Sequence, residues 1–213
     1  MSKIIAQPQR SHFSQESEVL PEAFNFIVGL IRGGKVVAIP TDTVYGLATN
    51  PYQPEGVQRL FEIKGRDTSK PILLLIGSTA MLLPLVHEVT PIARRLIAHF
   101  WPGPLTIIFT AAMGLSPILT GGTDSIGIRF PNSKWLIHLI KEVGGPITAT
   151  SANLSGCPPA TSAAEVETNI GNRIDFIWDG GLCSATPSTV VDARHSHVQI
   201  VREGALSSKI LKM

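Results

Sequence analysis

Lys64, Arg66 and Lys70 lie within seven residues, in Lys64-Gly65-Arg66-Asp67-Thr68-Ser69-Lys70-Pro71, between a helical pattern and a very apolar run. Only 16% of the 213 residues are charged, so three cations around a glycine at an element boundary stand out. Glycine lets the backbone turn with positive φ and approach a ligand closely. Ammonium and guanidinium groups placed there suit a polyanion such as a nucleoside triphosphate. A solvated helix C-terminus, where basic residues favour the helix dipole, accounts for the same residues. A second polar segment, Thr150-Ser151-Ala152-Asn153-Leu154-Ser155-Gly156, follows the apolar stretch Pro146 to Ala149. Its Ser151 and Asn153 are possible ligand contacts and equally good turn-formers.

Arg129 lies inside the apolar run Ile126 to Phe130, where a long charged side chain needs a cleft or a salt-bridge partner. Asp42 sits just before a strand end, as a turn-former or as a group that helps place a magnesium ion. No Ser/His/Asp or Cys/His constellation stands out. Cys157 and Cys183 have no CxxC or metal-ligand spacing, and the six histidines show none beyond His195-x-His197 in a polar loop.

The elements that must position these groups alternate. Ala23, Ile27, Leu30 and Ile31 share a helical face that Gly33-Gly34 ends. Val36 to Ile39 reads as a strand stopped by Pro40. Val57, Leu60, Phe61 and Lys64 return to helical spacing, with Gly65 as the stop. Ile72 to Ile76 reads as a strand covered on both faces. Thr90-Pro91 opens a helix to about Phe100, and Ser133 caps another that carries Leu136, Leu139, Ile140 and Val143 inward. Ser162 and Glu165 have capping-box spacing. Leu105 to Thr110, Ile126 to Phe130, Ile174 to Trp178, Thr189 to Val191 and Val198 to Arg202 read as strands. The expectation is a three-layer α/β fold around a central sheet, mixed because the later strands follow one another closely.

Length and a 44% hydrophobic content suit one well-buried domain, assigned to residues 19–213 after a loose leader over 1–18. The net charge of +2 and pI near 8.6 permit anion binding but fall short of a dedicated nucleic-acid stripe. The polar N-terminus lacks a signal-peptide core, no apolar run approaches a membrane span, and two separated cysteines fit a reducing compartment. The expected location is cytoplasmic, without membrane contact.

Six strings occur in order: Thr41-Asp42-Thr43-Val44-Tyr45-Gly46-Leu47, Lys64-Gly65-Arg66, Trp101-Pro102-Gly103-Pro104-Leu105-Thr106, Gly127-Ile128-Arg129-Phe130-Pro131, Ser151-Ala152-Asn153-Leu154-Ser155-Gly156 and Pro187-Ser188-Thr189-Val190-Val191-Asp192. Together they resemble the YrdC-like family, whose best-known members are threonylcarbamoyl-AMP synthases, over about Leu30 to Gly204. The resemblance implies the three-layer YrdC-like fold, a twisted mixed central sheet with helices on both faces and a large concave cleft. The resemblance implies that L-threonine, bicarbonate and ATP, the last with Mg2+, are joined into L-threonylcarbamoyladenylate and pyrophosphate. It further implies a downstream threonylcarbamoyl transferase complex, modification of tRNA next to the anticodon, and contact with tRNA or other double-stranded RNA.

The resemblance also assigns residues. Lys64, Arg66, Ser151 and Asn153 form the family's catalytic Lys-Arg-Ser-Asn set. ATP falls to Lys64, Arg66, Lys70, Thr106, Ser125, Ser151 and Arg202, and threonine to Thr43, Arg129 and Ser188. No protein metal ligand is implied. As a cleft cation outside the core, Lys64 is expected to be removable without much loss of stability. Two departures stand: Leu75 occupies a position where some relatives carry a histidine near threonine, and the chain resembles the short form without a C-terminal extension domain. A YrdC-like paralogue with another substrate, and an RNA-binding accessory protein without turnover, are the rival readings. The full Lys64, Arg66, Ser151 and Asn153 set favours the enzyme, and the lack of an aromatic stacking platform disfavours the RNA-only protein.

Overall fold

The computed structural model describes residues 9–12 and 21–211. Its elements run β1 (Gln9–His12), α1 (Pro21–Arg32), β2 (Val37–Ile39), β3 (Gly46–Ala48), α2 (Pro54–Lys64), β4 (Leu74–Leu75), α3 (Pro91–Phe100), β5 (Leu105–Thr110), α4 (Pro117–Thr120), β6 (Ser125–Arg129), α5 (Lys134–Val143), β7 (Ile147–Thr148), β8 (Thr150–Ser151), α6 (Ala163–Ile170), β9 (Phe176–Asp179), β10 (Thr189–Asp192), β11 (Gln199–Arg202) and α7 (Ser208–Leu211). Most of the expected leader over 1–18 lies outside the described residues. Within it, β1 runs parallel to β9. No helix among the described residues is long and apolar enough to cross a membrane.

Local signals act where the sequence places them. Phe24, Ile27, Val28 and Ile31 of α1 are buried at i, i+3, i+4, i+7 spacing. Gly65, at φ 56°, ends α2 in the left-handed conformation that glycine adopts without strain. Thr90 and Ser133 accept hydrogen bonds from the amides of Ala93 and Leu136, capping α3 and α5. Ser162 likewise accepts from Glu165 N, but the Glu165 carboxylate turns back to Thr161 N and Oγ1 rather than to Ser162. The expected strand from Ile72 to Ile76 shortens to β4, because Ile72 N is drawn off to Leu119 O at the end of α4.

The α/β class with mixed pairing and helices on either side holds, with the strands divided between two sheets rather than gathered in one. One has the order β1-β9-β2-β3-β8, the other β11-β10-β5-β6-β4-β7. The division follows from one extended segment. Ile147 and Thr148 pair with Leu75 and Leu74 of β4, whereas Thr150 and Ser151 pair with Leu47 and Gly46 of β3. Between them Ala149 N donates to Leu73 O, so the chain leaves one ladder and enters the other within three residues.

In the six-stranded sheet, alternate residues face opposite ways. Leu105, Ile107, Phe109, Ile126, Ile128 and Val191 enter the main core. Thr106, Ile108, Ser125, Gly127, Arg129, Ser188 and Val190 face a cavity. A smaller apolar cluster joins α1 and α5 to the far side of β2, β3 and β9. β5 and β6, expected simply as strands, thus cover the core with one face and form the cavity floor with the other.

Candidate functional site

The cavity has a volume of about 360 Å³, at the lower end of the range for ligand pockets. Its floor is the open face of β5, β6 and β10, and its walls are the β2–β3 loop, the turn after α2, β8 and β11. The expected ligand residues Thr43, Arg66, Thr106, Ser125, Arg129, Ser151, Ser188 and Arg202 all line it. Gly127 lies between Ser125 and Arg129, and without a side chain it leaves the floor open.

Lys64 and Asn153 do not line the cavity. Lys64 is 3% exposed, and its ammonium donates to Ser151 O, to Asn153 O at 2.9 Å and to Asn153 Oδ1 at 3.0 Å. Ser155 N returns a bond to Lys64 O at 2.8 Å, and Asn153 Nδ2 donates to Cys157 O. The pair thus clips the 151–157 loop from behind and fixes where Ser151 meets the cavity. This corrects the picture of Lys64 as a cleft cation outside the core: all three of its donors are committed within the fold. Lys70 is exposed and outside the cavity lining.

Arg66 donates through Nη2 to Pro71 O at 2.9 Å. Arg202 donates through Nη2 to Ser188 O at 2.8 Å. Neither donates to a carboxylate among the described residues, and the buried Nε of Arg66 and of Arg129 are left without hydrogen bonds. Burial lowers the pKa of Arg66 from the usual guanidinium range. Burial, then the charges of Arg129 and Arg66, lowers that of Arg202. Three guanidinium groups thus converge on one space, which an anion would relieve. Burial first, and Arg66 second, also brings Lys64 down from its ordinary 10.5 to about 8.

Arg129 is the exception among the three. Its Nη1 donates to Asp42 Oδ1 at 2.6 Å, and Asp42 Oδ2 accepts from Asn132 N at 3.0 Å. Asp42 therefore serves as a guanidinium anchor, a role absent from its sequence reading as a turn-former or magnesium group. The cleft and salt-bridge accounts of Arg129 both hold, since it lines the cavity and is paired.

The hydroxyls have fixed polarity. Thr41 Oγ1 donates to Val44 O at 2.8 Å, so its 2.9 Å bond with Thr43 Oγ1 must use the Thr43 proton. Thr43 then offers lone pairs to the cavity. By the same count Thr123 Oγ1 donates to Thr120 O at 2.7 Å, and Ser125 spends its proton on Thr123 at 2.9 Å. Thr106 and Ser188 share a 2.8 Å bond. Thr41 is a positioning residue that sequence reasoning passed over, although it stands inside a quoted motif. The strict alternation Ser125-Ile126-Gly127-Ile128-Arg129 was a period-2 signal for the cavity floor. Among the described residues no group of three or more His, Cys, Asp or Glu side chains could hold a metal ion.

Comparison with known proteins adds the following. The Sua5/YciO/YrdC family model, described as telomere recombination, matches residues 29–204. A threonylcarbamoyl-AMP synthase of Pyrococcus abyssi is 39% identical over 179 residues, 84% of this chain and 53% of the relative. One of Vibrio parahaemolyticus is 34% identical over 184 residues, 85% of this chain and 98% of the relative. The structure of Pyrococcus abyssi Sua5 complexed with L-threonine superposes with a TM-score of 0.86 at 34% identity, over 96% of this chain and 59% of that one. The chain thus spans about half the length of the first curated relatives that it matches.

Proposed function

The chain belongs to the Sua5/YciO/YrdC family, and on that premise we propose that it is a threonylcarbamoyl-AMP synthase, a nucleotidyltransferase. In the proposed reaction the threonine amine and bicarbonate give a carbamate and water. A carbamate oxygen then attacks the α-phosphate of ATP, and pyrophosphate leaves. The reaction needs aligned reactants and neutralised phosphate charge, and no protein nucleophile. The observation that carries the reading is the convergence of Arg66, Arg129 and Arg202 with Thr43, Thr106, Ser125, Ser151 and Ser188 on one cavity.

In this reading Arg66 and Arg202 hold phosphate oxygens, with Ser151, Ser125 and Thr106 along the nucleotide. Lys64 and Asn153 support catalysis by holding the Ser151 loop in place. Lys70, on the surface, adds only screened long-range attraction. Arg129 takes the threonine carboxylate, Thr43 accepts from its amine, and Ser188 lies beside them. A magnesium ion arriving with ATP would be held by phosphate oxygens, because the lining offers hydroxyls but no carboxylate. The product would pass to a threonylcarbamoyl transferase complex for tRNA modification in the cytoplasm, with tRNA contact outside the cavity.

Purified protein is expected to release pyrophosphate from ATP only when L-threonine, bicarbonate and magnesium are all present, with the adenylate detected by mass. Equal ATP turnover without threonine would remove the synthase reading in favour of a different substrate.

A further inference from the structure

We infer that Asp42 is a positioning residue that sets ligand selectivity along the cavity, making the Arg129 end a receptor for a zwitterion and leaving phosphate to Arg66 and Arg202. The inference deepens the synthase reading and rests on it. Of the three guanidinium groups, Arg129 alone faces a carboxylate among the described residues; the acceptors of Arg66 and Arg202 are the neutral carbonyl of Pro71 and the neutral carbonyl and hydroxyl of Ser188. The side chains of Arg129 and Asp42 are 3% and 12% exposed, so their charges act on each other and on a ligand with little screening by water.

Both carboxylate oxygens of Asp42 are committed, one to Arg129 and one to the Asn132 amide. The carboxylate cannot rotate, and neither can the guanidinium edge it holds. With Nη1 taken and Nε buried without a hydrogen bond, Nη2 is the guanidinium nitrogen left for a ligand. A charged N–H donor of this kind suits a carboxylate oxygen. Beside it, Asp42 cancels the Arg129 charge and Thr43 presents lone pairs.

A free amino acid carries both signs, and here it meets donors for its carboxylate and negative potential for its ammonium. A polyphosphate meets a neutral pair at this end and unpaired cations at the other. Selectivity of this kind works by weakening the wrong ligand as much as by holding the right one. Asp42 is built in as the element against phosphate.

The test is calorimetry on the wild type, Asp42→Asn and Asp42→Glu with two probes, L-threonine and pyrophosphate. Wild type is expected to bind both together. In Asp42→Asn the threonine dissociation constant should rise about tenfold or more, the scale of one charge-assisted contact, and pyrophosphate should now displace threonine. Asp42→Glu keeps the charge on a longer arm, so it should keep the two probes non-competing even where threonine weakens. An Asp42→Asn protein that melts like wild type and binds both probes within twofold of it would overturn the inference. If that variant does not fold, threonine displaced by pyrophosphate from Asp42→Glu overturns it instead. A wild type that binds no threonine removes the synthase reading itself; wild-type binding with an unaffected Asp42→Asn removes only the role of Asp42.

Discussion

Lys64 and Arg129 are each 3% exposed, yet they spend their donors in opposite ways. On the α2 side Lys64 gives every N–H to the 151–153 loop. On the strand side Arg129 lines the cavity, commits Nη1 to Asp42 and leaves Nε buried without a hydrogen bond. Burial alone therefore does not separate a ligand contact from a structural cation. The count of satisfied donors does, because a buried donor left open costs free energy that a ligand can return. Arg66, two residues from Lys64, falls on the ligand side of that division, since it bonds only Pro71 O and lines the cavity.

The largest effect should come from Lys64→Ala, which strands three loop acceptors. It is expected to cost on the order of 2–4 kcal/mol of stability and to lower turnover by about 10²-fold or more as Ser151 loses its place. Arg66→Ala should match it in turnover while its melting temperature stays close to wild type. Thermal melts beside pyrophosphate assays check both, and equal melting losses in the two variants would break the contrast.

Next in size is Arg129→Ala. Loss of the charge-assisted contact should weaken threonine by roughly 10- to 150-fold and leave ATP binding largely intact. Calorimetry with each ligand separately sharpens the division of the cavity, and equal loss of both ligands would erase it.

The smallest effect is pH-dependent and has two signs. The folded pKa of Lys64, about 8, lies below the ordinary 10.5, so the unfolded chain binds more protons between these values. The penalty of burying the charged form is fully present below pH 8 and is lifted towards 10.5. Stability should therefore rise across that window, by on the order of 1–3 kcal/mol. A neutral Lys64 has two N–H groups for three acceptors and one charge fewer beside Arg66. ATP affinity should accordingly fall over the same window, by about threefold to tenfold. Melts and ATP titrations from pH 7 to 10 would show opposed trends in wild type and neither in Lys64→Ala.

Much of this arrangement was legible from local rules. The Gly65 stop after α2 and the Thr90 and Ser133 caps follow from residue type over a few positions. β7 falls inside the apolar, strand-like stretch Pro146 to Ala149, but the two-residue β8 was not legible, because it carries no periodic pattern and exists only through its partner. The Asp42–Arg129 pair joins positions 87 apart, a distance that no window of sequence spans. Lys64 was placed correctly at a helix end and given the wrong facing, since a basic residue there suits solvent, ligand or loop carbonyls alike. The cavity floor shows in the sequence only as the alternation along β6 and as an arginine in an apolar run that demands a cleft or a partner; the companion faces of β5 and β10 carry no comparable signal.

The passage of residues 147–151 from one ladder to the other has a mechanical consequence. The cavity lies in a crease whose two walls share a continuous thread of backbone, so they cannot part like jaws without drawing a strand out of one sheet. Ligands must be accepted by a contour that already exists. Choice between threonine and serine would then rest on fit alone, and one methyl group against a fixed wall is worth roughly 10- to 200-fold.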